Sequence, residues 1–149
     1  MRYDSYNAAV VDRDLNIYEF ASIGPRGTIL KRVVFNPTEH SEVFNLAFGD
    51  MLTDNTEVTD KTVTDNGDRD KTLATIAKII DMYTLEHPQH WVNIRGSTAS
   101  RTRLYQMAIG ANFKELDKKY MVYGYNSDGI PELFSKGKSY QAFLVRRKI

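Results

Sequence analysis

From Ile17 to Phe35 the apolar residues fall at strand rather than helix spacing. Ile17, Tyr18 and Phe20 are β-favouring and precede Gly24-Pro25-Arg26-Gly27, a turn-forming run, so Ile17 to Ile23 and Thr28 to Phe35 are predicted to form a hairpin. The second arm places Ile29, Lys31, Val33 and Phe35 on one face and Leu30, Arg32 and Val34 on the other, which suits a central strand. After Asn36-Pro37-Thr38, further strands are expected at Val43 to Gly49 and Val58 to Thr64. The period then changes. Leu73, Ile76, Ile80 and Tyr83 recur at helical spacing, with Ala77 and Ile79 beside them, after an Asp-rich start and before Pro88.

Trp91 to Arg95 reads as a short strand, and Gly96-Ser97-Thr98 as the turn into a second helix running to about Asn112, with Leu104, Met107, Ala108 and Ala111 as its apolar stripe. Strand character returns at Tyr120 to Tyr125, Ile130 to Phe134 and Tyr140 to Arg147, divided by the turn Asn126-Ser127-Asp128-Gly129 and the loop Ser135 to Lys138. The expected order is ββββαβαβββ. Runs of strands broken by two helices predict an α+β fold with a mostly antiparallel sheet. Residues 1 to 16 show no clear period and are expected to form a loosely held arm able to pair with a sheet edge. Neither repeat nor linker divides the chain, so residues 1 to 149 are expected to form a single domain.

Composition narrows the classes. With 42% hydrophobic and 26% charged residues the chain is an ordinary globular one. No apolar run reaches the length needed to cross a bilayer and the first residues do not resemble a signal peptide, so a cytoplasmic protein without membrane partners is expected. Cysteine is absent, which excludes disulfides and thiol chemistry. The net charge of +1 conceals a division: residues 1 to 94 carry nine Lys and Arg against fifteen Asp and Glu, a balance of −6, and residues 95 to 149 carry eleven against four, a balance of +7. Such segregation suits either an anionic partner or mutual neutralisation within one fold.

Arg95 to Arg103 joins a strand end, a glycine and a helix start rich in hydroxyls and guanidinium groups. Cations are unfavourable at the positive end of a helix dipole unless an anion sits there, so Gly96, Ser97, Thr98, Arg101 and Arg103 form a candidate anion site. The structural alternative makes Ser97 or Thr98 the N-cap and pairs the arginines with Asp65, Asp68 or Asp70. Those three aspartates are themselves an alternative metal site, on which a metal-dependent phosphodiester hydrolase reading would rest; N-capping explains them equally. His40, His87 and His90 follow no ligand spacing, no cofactor motif is present, and no serine stands in a nucleophile elbow. In the basic half Tyr123, Tyr125, Lys136, Lys138 and Arg146 form a candidate platform for single-stranded nucleic acid, against the alternative that strand aromatics fill a core.

Tyr18-Glu19-Phe20, Phe44 to Asp50, Asn66-Gly67-Asp68, Gly96-Ser97-Thr98, Arg101 to Tyr105 and Tyr140 to Val145 together resemble an uncharacterised family of small bacterial single-domain proteins of about this length. That resemblance implies no activity and transfers no catalytic residue. The layout also resembles the Whirly-type single-stranded-DNA-binding fold, an analogy of fold alone. The leading expectation is a binding module for a phosphate-bearing ligand or single-stranded nucleic acid. The alternatives are the hydrolase and a non-catalytic protein-interaction domain able to self-associate into a homo-oligomer.

Overall fold

The computed structural model describes residues 4–50 and 66–149. Its elements are β1 (Ala9–Asp12), β2 (Ile17–Gly24), β3 (Gly27–Pro37), β4 (Val43–Asp50), α1 (Arg69–Glu86), β5 (Trp91–Ile94), α2 (Ala99–Ala111), α3 (Phe113–Lys119), β6 (Tyr120–Tyr125), β7 (Pro131–Leu133) and β8 (Ala142–Arg147). The strands hydrogen-bond in the order β1-β2-β3-β4-β5-β8-β6-β7, an α+β fold on a mixed, mostly antiparallel sheet. The strand expected at Val58 to Thr64 lies outside the described residues. The chain divides into two compact units, residues 1–36 with 46–83 and residues 37–45 with 84–149.

In the first unit β2 and β3 pair antiparallel around the Pro25-Arg26 turn, from Ile17 opposite Val34 to Gly24 opposite Gly27. Tyr18, Phe20, Val33, Phe35 and Phe48 are buried, and the Phe35 ring stacks on Tyr83 of α1 with centroids 4.0 Å apart. Along α1 the buried positions are Ala74, Thr75, Ile76, Ile79, Tyr83 and Thr84, while Leu73 and Ile80 flank them half-buried. Burial pushes the Tyr83 hydroxyl far up from its ordinary pKa.

Two cations are buried on β3, one on each face of the strand. Lys31 Nζ reaches Asp50 Oδ1 at 2.6 Å, and Arg32 bonds Glu19, directly opposite it on β2. Within the segment expected as a loosely held arm, Tyr6 and Ala9–Asp12 are fixed. Tyr6 is buried, stacks on Phe20 at 5.7 Å and donates its amide to Thr75 Oγ1 at 2.8 Å, and Ala9–Asp12 pairs antiparallel with β2 at the sheet edge. One ring and a four-residue strand are too short to generate a period.

In the second unit Val43 to Asn45 run parallel to Trp91 to Asn93, while β5–β8, β6–β8 and β6–β7 are antiparallel. A parallel pair needs a crossover connection, and α1 lies in the chain between β4 and β5. The third helix, α3, was not anticipated. It is seven residues long, follows Asn112 without a break, and has Glu115 in its first turn and Lys118 and Lys119 in its last, as the helix dipole favours. Phe113 of α3 leans on Phe134 at 5.1 Å, within a ring cluster completed by Tyr140 and Phe143.

The stripe expected on α2 needs correction. The buried residues are Thr102 and Ile109, whereas Met107 is 58% exposed and Ala111 is exposed. Apolar residues at helical spacing can line an open hollow as well as a core, and periodicity does not separate the two.

Candidate anion-binding groove

The turn from β5 into α2 is built around Gly96. A Cβ there would lie 2.6 Å from both Arg101 Cβ and the Thr102 amide nitrogen, so only glycine fits against the helix start. Thr102 Oγ1 accepts the Gly96 amide at 3.0 Å. Thr98 is the N-cap, with an extended backbone, and its hydroxyl accepts the Arg101 amide at 3.2 Å. The amides of Ala99 and Ser100, in the first turn, have no intrahelical acceptor. α2 carries no acidic residue in that turn.

Beside this turn lies a hollow of about 820 Å3 within the second unit, where Gly96, Ser97 and Thr98 form one end of its lining. Thr102, Arg103, Gln106, Met107, Gly110 and Ala111 follow at intervals of three and four along one side of α2. At 1.5 Å rise per residue, Ala99 to Ala111 extends the groove roughly 18 Å. The opposite wall comes from Phe134 to Gln141. Lys136 lies near the far end, with its Cε 3.8 Å from the position of a Cβ on Gly110.

That wall is held in place. Gln106 Nε2 donates to the Lys138 carbonyl at 2.5 Å, Gln106 Oε1 accepts the Tyr140 amide at 3.2 Å, and the Tyr140 hydroxyl accepts the Ser135 amide at 2.9 Å. Tyr140 packs against β6 because Gly124 leaves room; a Cβ there would sit 2.4 Å from the ring. Arg95, Arg103 and Lys136 line the groove, none of its lining residues is Asp or Glu, and none of the three cations is ion-paired among the described residues.

Four of the five residues expected to bind an anion, Gly96, Ser97, Thr98 and Arg103, therefore line one hollow. Arg101 does not; its Nη1 donates to Ser97 Oγ at 2.6 Å, holding that hydroxyl from outside. The candidate nucleic-acid platform separates. Lys136 belongs to the groove and Lys138 pairs with Glu132 at 2.6 Å, which raises the Lys138 pKa through that hydrogen bond. Tyr123, Tyr125 and Arg146 lie half-buried on β6 and β8 and do not line the groove. Arg95 stood in the expected segment without being named a binding residue, and the meeting of Gln106 with the 134–141 wall was missed, because no local spacing joins a helix to a loop some thirty residues later.

Of the aspartates expected as an alternative metal site, Asp68 and Asp70 have other partners. Asp68 Oδ2 accepts from the Tyr6 hydroxyl and from Ser22 Oγ, each at 2.5 Å. Burial raises the Asp68 pKa, but the hydrogen bonds from Ser22 and Tyr6 outweigh it and leave the carboxyl below its usual range. Asp70 lies 3.7 Å from Arg69 Nε, and Asp65 is outside the described residues. Among the described residues no three His, Asp or Glu side chains are grouped to hold a metal. The His87 and His90 rings stack at 4.7 Å, and Phe44 stacks on His90 at 4.5 Å. Among the described residues no helix is long and apolar enough to cross a membrane.

A family model matches residues 2–148, which is nearly the whole chain. The chain belongs to DUF6934, a family of unknown function. No curated protein and no solved structure matches it. The DUF6934 assignment adds no chemistry to the groove, whose reading rests on its own residues.

Proposed function

We propose that this DUF6934 protein is a binding module for a phosphate-bearing ligand, held at the start of α2. One observation carries the reading: among the described residues, the groove joins the Gly96-Ser97-Thr98 turn to three cations that form no ion pair, and its lining holds no carboxylate. A phosphate at that end accepts from the first-turn amides and from hydroxyls, and its charge offsets the repulsion between Arg103 and the helix dipole. The Arg103 guanidinium supplies the bidentate fork that planar recognition of phosphate oxygens favours. Lys136, farther along the groove, meets a second anionic group of an extended ligand as a point charge.

Calorimetric titration with inorganic pyrophosphate tests this directly. Binding should weaken as salt is raised, and Arg103→Ala should reduce affinity about tenfold through loss of a charge-assisted hydrogen bond. Absence of heat at millimolar pyrophosphate, or affinity unchanged in Arg103→Ala, would remove the proposal.

A further inference from the structure

The sheet of the second unit has two unlike faces. Tyr120, Val122, Phe143 and Val145 point into its core. On the opposite face the strand register aligns Asn45, Asn93, Leu144, Tyr123 and Leu133 in one row across β4, β5, β8, β6 and β7. The neighbouring row brings Trp91 and Arg146 together, with the guanidinium carbon 5.5 Å from the indole centroid. Tyr123 meets the same indole edge to face at 5.7 Å. Trp91, Tyr123, Tyr125 and Arg146 are half-buried, and Leu133 is 70% exposed. None of the described strand positions on this face is Asp or Glu.

We propose that this sheet face binds single-stranded nucleic acid, with bases seated against Trp91 and Tyr123 and a phosphate on Arg146. Aromatic rings on strands stack bases of any sequence, a neighbouring cation holds the backbone, and side-chain amides pair with base edges; here Asn93 Nδ2 donates to Asn45 Oδ1 at 2.9 Å, a bond that a base edge would replace. Among the described residues Arg146 Nε and Asn93 Oδ1 are buried without a hydrogen-bond partner, so a bound strand can supply an acceptor to one and a donor to the other as these side chains turn outward. Charge argues against a second copy as the occupant. Two such faces packed together would bring Arg146 towards its own copy with no carboxylate on either face to neutralise it. The face is separate from the groove and the proposal does not rest on the groove reading.

Trp91 is the only tryptophan, so its emission reports on this face alone. A fluorescently labelled oligothymidylate of about ten nucleotides, within the usual span of single-strand sites, is titrated while anisotropy and Trp91 emission are both followed. Saturable quenching should track the anisotropy. Tyr123→Ala and Arg146→Ala should each weaken binding about tenfold, and Tyr123→Phe, which keeps the ring, should restore it. Circular dichroism of each variant confirms that it is folded. An anisotropy rise without quenching places the strand elsewhere and overturns the proposal, as does no anisotropy rise. A blue shift of Trp91 with protein concentration, without oligonucleotide binding, would assign the face to a second copy and likewise overturn it. Pyrophosphate titrated in parallel should leave Trp91 emission unchanged, so failure of the groove reading is seen independently.

Discussion

Asp68 shows how one side chain can be committed to structure. Its carboxylate takes hydrogen bonds from Tyr6 and Ser22, and its backbone carbonyl accepts the Thr72 amide at 2.9 Å as α1 begins. Asn66 fastens the same corner, donating to the Gly27 carbonyl at 2.9 Å and accepting the Arg26 amide at 2.8 Å. Because the folded state holds the Asp68 pKa below the ordinary value of 3.8, the unfolded chain binds its proton more readily. The contribution to stability is therefore complete above about pH 4 and is lost as the pH falls through the lowered folded value. We expect Asp68→Asn to cost about 1–2 kcal/mol at neutral pH and to flatten the acid limb of stability against pH, measured by urea unfolding between pH 2 and 7. An acid limb identical to that of the parent protein would show that Asp68 is not the responsible group. The sequence placed Asp68 at a helix start, but its partners come from residues 46 and 62 positions away, which no local pattern connects.

At the scale of elements, α2 is the piece on which the groove depends. Its start is set by Thr98 and by the close approach at Gly96, and both were legible as a turn-to-helix signal. Removing the cap with Thr98→Ala should cost about 1 kcal/mol, a fall of roughly 2–4 °C in Tm for a chain of this size, read by calorimetry. A Tm unchanged within a degree would mean that another group caps the helix. The orientation of α2 was not legible. Leu104, Met107, Ala108 and Ala111 satisfy the helical period, yet Ile109 and Thr102 are the buried residues and Met107 and Ala111 face the hollow. α3 was hidden for a related reason: its short run offers only Phe113 and Leu116 as half-buried apolar contacts, and the ring of Phe134 gives Phe113 its place.

For the molecule as a whole, the path of the chain matters more than any one element. The chain contributes to the first unit, then the second, then the first again and finally the second, and β4 and α1 each carry residues of both. Neither unit is a contiguous stretch. A fragment of residues 84–149 keeps β5, β6, β7, β8, α2 and α3 but loses Val43 to Asn45, the parallel neighbours of Trp91 to Asn93. That leaves an edge of unpaired backbone along β5. We expect the fragment to aggregate or to lack a cooperative thermal transition, with dispersed amide resonances restored only in the full chain. A cooperative transition in the isolated fragment would show that β4 is dispensable to its fold.

Local chemistry alone determined the hairpin around Pro25, the helix ending before Pro88, the turn at Gly96 and the basic character of the second half, because each follows from neighbours a few residues apart. Tertiary structure decided the rest. It fixed the parallel pairing of β4 with β5, carried Lys136 to the helix that begins beside Gly96, and aligned Trp91, Tyr123 and Arg146 on one sheet face. Those arrangements join residues tens of positions apart, and they arise from strand order and side-chain packing, which a periodic pattern constrains but does not specify.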